Sequence, residues 1–153
     1  MNQTMTVGIS EAQASALRIT LADGEEQANI FAKLLKQHIE GIVEGDPAKV
    51  TVASKIRGKL GLHSTDPEAL VTLVFCDDGI TIKDGFDADL DGRITGPLKL
   101  QTETLIAVAN PYAEMLKRRL KIGVKWSRPL FTAQTYAFLK VPVSMRPPKE
   151  PAA

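Results

Sequence analysis

A chain of 153 residues, 44% hydrophobic and 24% charged, has the size and balance of a single globular domain with a substantial core. Its 19 Lys and Arg stand against 18 Asp and Glu, and a net charge of +1 offers no global field to recruit nucleic acid or an anionic membrane. One cysteine, Cys76, excludes an internal disulfide, and with no apolar run of bilayer length and no leader the expected setting is a reducing cytoplasm, without stable membrane insertion.

Residues 1–22 carry two competing signals: Ser10 with Gln13 resembles a capping box, whereas Leu17 to Leu21 alternates like a strand. The domain is expected over 23–142. Asp23 and Glu26 suit a helix cap, and Ala28, Phe31, Leu34, Leu35, His38, Ile39 and Ile42 recur at helical spacing up to Gly45. Asp46-Pro47 then caps a second helix carrying Val52, Ala53 and Ile56 and ending near Gly58.

Strands are expected at Lys59–Ser64, Ala69–Cys76, Ile80–Lys83 and Phe86–Thr95. Asp78-Gly79 and Asp84-Gly85 serve as hairpin turns because both residue types tolerate positive φ, so the last three strands read as an antiparallel meander. Asp87, Asp89, Asp91, Gly92, Ile94 and Thr95 match the opening of a calcium-binding EF-hand loop. The closing position, however, holds Leu98 instead of Glu, and a hairpin precedes it instead of a helix. The same residues alternate as a strand with one wet and one buried face.

After Gly96-Pro97, Leu98, Leu105, Ile106 and Ala109 suggest a helix, and Asn110-Pro111 caps another bearing Tyr112, Met115, Leu116 and Leu120. Lys121 to Trp126 alternates as one more strand. Pro129 opens a last helix that stops near Val141-Pro142, and 143–153 form a tail too proline-rich to pack. Strands in one run with helices on either side make the class α+β.

Little in this pattern carries chemistry. His38 falls on an apolar stripe and His63 in a strand, neither with a second ligand at metal spacing. Cys76 lies beside Asp77 and Asp78, whose charges disfavour a thiolate. No phosphate loop or serine elbow is present, so no enzyme and no cofactor are expected. Lys117, Arg118, Arg119, Lys121, Lys125 and Arg128 cluster locally, either as a solvated face or as a weak docking patch for anionic headgroups or an acidic partner. The last third is rich in apolar side chains, which either fill a core or leave a gap between proline-separated helices and the sheet.

Element order and local sequence together resemble the sterol carrier protein type 2 family over Ala53 to Pro142. The resemblance is carried by Lys55-Ile56-Arg57-Gly58, by Val71-Thr72-Leu73-Val74-Phe75, by Ala88-Asp89-Leu90 running into Ile94-Thr95-Gly96, by Leu120-Lys121-Ile122-Gly123, and by Phe138-Leu139-Lys140-Val141-Pro142. It implies a five-stranded, mainly antiparallel sheet covered by helices. It also implies an apolar tunnel for sterol, fatty acyl or related lipid, bound and carried without covalent chemistry. By correspondence of elements the tunnel would be lined by Phe75 of the meander and by Leu105, Val108, Tyr112, Met115 and Leu116 of the helix pair. Val124 and Trp126 of the late strand and Phe131, Tyr136 and Phe138 of the last helix complete the set. The alternative is a filled core, making the chain an interaction module that self-associates as a homo-oligomer or docks to an enzyme.

Overall fold

Alternating apolar side chains build the centre of the molecule: Leu60 and Leu62 on one strand, Val71, Leu73 and Phe75 on the next, Ile80 and Ile82 on the third, all turned to one face and buried. The structure is a computed structural model and describes residues 17–77 and 79–142. In chain order these form β1 (Arg18–Leu21), α1 (Gly24–Gln27), α2 (Ile30–Gly45), α3 (Ala48–Ser54), β2 (Gly58–Thr65), β3 (Glu68–Cys76), β4 (Gly79–Asp84), β5 (Gly92–Gly96), α4 (Leu98–Leu105), α5 (Pro111–Leu116), β6 (Lys121–Val124) and α6 (Phe131–Leu139). Sheet and helices pack as an α+β fold.

The sheet order is β1-β4-β3-β2-β5-β6. The pairs β2·β3, β3·β4 and β5·β6 are antiparallel, while β1·β4 and β2·β5 are parallel. The five-stranded, mainly antiparallel sheet expected from sequence is therefore six-stranded and mixed. Its extra strand is β1, so the fold starts ahead of Asp23, inside the segment 1–22, and there the strand alternative holds. Gly79 belongs to β4 instead of a turn, and a Cβ on it would collide with the backbone of Arg18 in β1. The helix reading on Ser10 and Gln13, and the tail 143–153, lie outside the described residues.

The expected meander strand Phe86–Thr95 is mostly loop; only Gly92–Gly96 is strand, and it crosses over to pair with β2. Asp89 sits at φ 58°, which breaks the extended geometry. Phe86 and Leu90 pack over Gly61 on the face of the sheet away from the core. Two carboxylates of this loop meet cations of the chain itself. Asp87 pairs with Lys83 at 3.0 Å and Lys59 at 3.3 Å, which hold its carboxyl below the usual range. Asp91 pairs with Arg128 at 3.4 Å and Lys125 at 3.7 Å.

The long helix expected from Asp23 divides at Asn29. Asp23 instead accepts from Asp84 N, whereas Asn29 Oδ1 accepts from Ala32 N at 2.8 Å as the N-cap of α2. Phe31, Leu35, Ile39 and Ile42 of α2 then cover the centre of the sheet, with Phe131 and Phe138 of α6 beside them, edge to face with Phe75.

Candidate apolar ligand site

Register places three apolar side chains in one rung across the edge of the sheet: Leu62 on β2 opposes Ile94 on β5, which opposes Ile122 on β6. Helices stand over this rung without filling the space above it, and an apolar cavity of about 170 Å³ remains. Phe31 and Leu35 of α2 close one side. Gln101, Thr104 and Leu105 of α4 form a second, and Thr132, Ala133, Tyr136 and Leu139 of α6 a third. Pro111 and Tyr112 at the start of α5, together with Leu120, Val124 and Pro129, complete the lining, and of these Tyr112, Val124 and Pro129 are exposed, which marks the open end.

Small residues create the gap. Thr132 is drawn against the sheet because Gly92 has no Cβ; a methyl there would collide with the Thr132 hydroxyl. Several polar atoms of the walls are engaged within the protein. Gln101 Nε2 donates to His63 O at 2.8 Å and Gly96 O at 2.9 Å, Thr104 Oγ1 donates to Gln101 O at 2.7 Å, and Tyr136 Oη donates to Thr104 O at 3.0 Å. No charged side chain is among the described residues lining this space.

A second cavity, of about 370 Å³, shares Phe31, Leu35, Gln101 and Leu105 with the first. Its other walls are Leu34, Gln37 and His38 of α2 and Leu98 and Thr102 of α4. His38 Nε2 hydrogen-bonds Leu139 O. Burial holds the imidazole below its ordinary pKa, with Lys49 acting in the same sense and the hydrogen bond opposing. His63 lies on the opposite face of the sheet, where Nε2 meets Glu68 Oε1 at 2.7 Å. Among the described residues no group of three or more His, Cys, Asp or Glu could hold a metal ion, and no helix is long and apolar enough to cross a membrane.

Solved structures with this arrangement share little sequence with the chain. Sterol carrier protein domain 2 of Helicoverpa armigera superposes with a TM-score of 0.56 at 13% identity, covering 73% of this chain and 90% of that one. A UbiJ-SCP2 ubiquinone synthesis protein does so with 0.53 at 11%, covering 72% and 85%. The apo form of sterol carrier protein 2 from Yarrowia lipolytica gives 0.51 at 15%, covering 72% and 88%. The chain has the sterol carrier protein 2 fold. No protein-family model matches it and no curated protein does.

Of the lining residues expected from sequence, the sterol carrier protein 2 fold of this chain brings Leu105, Tyr112, Val124 and Tyr136 to the cavity. Phe75, Phe131 and Phe138 are instead buried core, with Phe75 edge to face against each of the other two. Val108, Met115, Leu116 and Trp126 face outward. Sequence reasoning overlooked the rung Leu62, Ile94 and Ile122, the α2 side chains Phe31 and Leu35, and the small or polar wall residues Gln101, Thr104, Thr132 and Ala133. One readable signal was the helical spacing of Thr132, Tyr136 and Leu139, at i, i+4 and i+7, which forms a face of mixed size instead of a packed stripe.

Proposed function

We propose that this chain binds an apolar lipid non-covalently, a flexible acyl chain in preference to a rigid sterol, and carries it in solution. The observation that supports this most directly is an apolar cavity with no charged lining, set between the Leu62, Ile94, Ile122 rung and three helices. The fold it shares with sterol carrier proteins is consistent with that reading. A cavity of about 170 Å³ is nearer the size that holds a benzene-scale guest than the roughly 300–1,000 Å³ of a drug-sized site. An acyl chain can extend past Phe31 and Leu105 into the neighbouring space by side-chain rotation, while a fused-ring sterol demands that both volumes merge at once. Cavities of this kind do not suit the filled-core alternative.

The test is a fatty-acid series on delipidated protein, followed by calorimetry or displacement of a fluorescent acyl probe. Burial of each added CH₂ contributes about 0.8 kcal/mol, so affinity rises about fourfold per methylene until the space is full. Ala133→Trp, which places bulk at the cavity wall, weakens the long-chain acids most. Absence of binding by any acid or sterol at micromolar concentration overturns the proposal.

A further inference from the structure

The apolar character of the cavity does not stop at its mouth. Trp126 is 98% exposed, Leu116 81% and Leu130 67%, and Val108, Tyr112 and Val124 are each about half exposed or more. Tyr112 and Val124 themselves line the cavity, Leu116 stands one turn beyond Tyr112 on α5, Trp126 follows β6, and Leu130 follows the lining residue Pro129. Scattered single apolar residues on a surface are ordinary; six in the segment 108–130 around one opening form a patch that marks an interaction site.

Charge around that patch is one-sided. Residues 105–130 contain Lys117, Arg118, Arg119, Lys121, Lys125 and Arg128 and a single acid, Glu114, so this stretch carries +5 in a chain whose net charge is +1. Glu114 is buried and engaged by Arg119 at 2.6 Å and Lys117 at 3.9 Å. Among the described residues Arg118 has no ion-pair partner, and neither has Lys121, which opposes Thr95 and so belongs to the face of the sheet away from the cavity.

We infer that the α5–β6–α6 rim docks the cavity mouth onto an anionic lipid bilayer, with Trp126, Leu116 and Leu130 entering the interface and Arg118 meeting headgroup phosphates. This rests on the lipid-binding reading above. Trp and Tyr favour the headgroup level, Leu reaches the acyl boundary, and basic side chains are attracted by anionic lipid. A bilayer suits the patch better than an acidic protein because the cavity opens within it. An apolar ligand can then pass between membrane and cavity without crossing water.

The experiment uses the full chain, delipidated, with vesicles of phosphatidylcholine or of phosphatidylcholine mixed with phosphatidylglycerol. Trp126 is the chain's one tryptophan, so its emission reports the patch directly. Expected are flotation and a blue shift with the anionic vesicles, little of either with the neutral ones, and loss of both in high salt. Arg118→Glu, at an exposed position, weakens partitioning about fivefold or more. Binding of a fatty acid in solution is unchanged in that variant. Failure of wild-type protein to associate with anionic vesicles overturns the docking surface, whether or not it binds fatty acid. So does association that ignores the charge reversal, or a doubling of mass that shields Trp126 in place of vesicle binding. Vesicle association without any acyl or sterol binding leaves the docking surface standing and removes the carrier reading instead.

Discussion

At Gly92 the sheet and α6 approach so closely that the Thr132 hydroxyl occupies the place a methyl would need. Gly92→Ala is therefore expected to cost about 1–3 kcal/mol, the range for overpacking a tight contact. Adding Thr132→Ala should restore part of it, and urea denaturation of the four proteins in a double-mutant cycle measures the coupling. Additive effects would mean that the contact is not the cause. His38 makes a different prediction. Its pKa lies below the ordinary value of 6.5 because burial penalises the charged ring, so the unfolded chain binds the proton more readily. Its contribution to stability is full above the ordinary value and is lost as pH falls below it and through the folded-state pKa. Denaturation midpoints from about pH 7 to about pH 5 should thus fall more steeply in the wild type than in His38→Gln. Asp87, whose carboxyl is held low chiefly by Lys83 and also by Lys59, acts only in a more acidic window, as pH falls through the carboxylate range.

At the scale of elements, Asn29 carries more than a cap. Its side chain accepts from Ala32 N at the start of α2 and donates to Leu70 O of β3, and its backbone N–H reaches the Asp84 carboxylate. Asn29→Ala should cost about 1–2 kcal/mol in chemical denaturation, while Asp23→Ala, at the position the sequence favours as the cap, should leave α2 in place. Local signals were legible where local physics decides. Asn110-Pro111 does cap α5, with Asn110 Oδ1 accepting from Tyr112 N and Ala113 N, and the stripe of α2 does face the sheet. The alternation of Phe86 to Asp91 misled because long-range packing of Phe86 and Leu90 over Gly61 outweighs it. Both parallel pairings depend on residues far apart in sequence, and no period reports them. For the site, the three phenylalanines expected as lining pointed the wrong way. Phe75 meets Phe131 and Phe138 edge to face, whereas a cavity exists where Thr104, Thr132 and Ala133 are too small to close it.

For the whole molecule, an acyl ligand that enters the cavity binds the folded state alone and must raise its stability. At a hundredfold excess over the dissociation constant the gain is about 2.7 kcal/mol, read as an upward shift in the thermal midpoint that grows with chain length. The order of the sheet bears on how that ligand gets in. The hairpins β2·β3 and β3·β4 join neighbours in the chain, but β5 reaches β2 only after the chain has closed a loop, and β6 can pair only once β5 is in place. Loop closure delays such contacts, so the hairpins and α2 are expected to lead the folding route and the cavity, walled by β5, β6 and α6, to be completed last. The same order run backwards predicts the breathing of the native state: in hydrogen exchange, amides of the edge strand β6 should exchange sooner than those of the central strand β3. A ligand of the proposed kind would then enter through local fraying at the β6 edge while the central strands keep their hydrogen bonds.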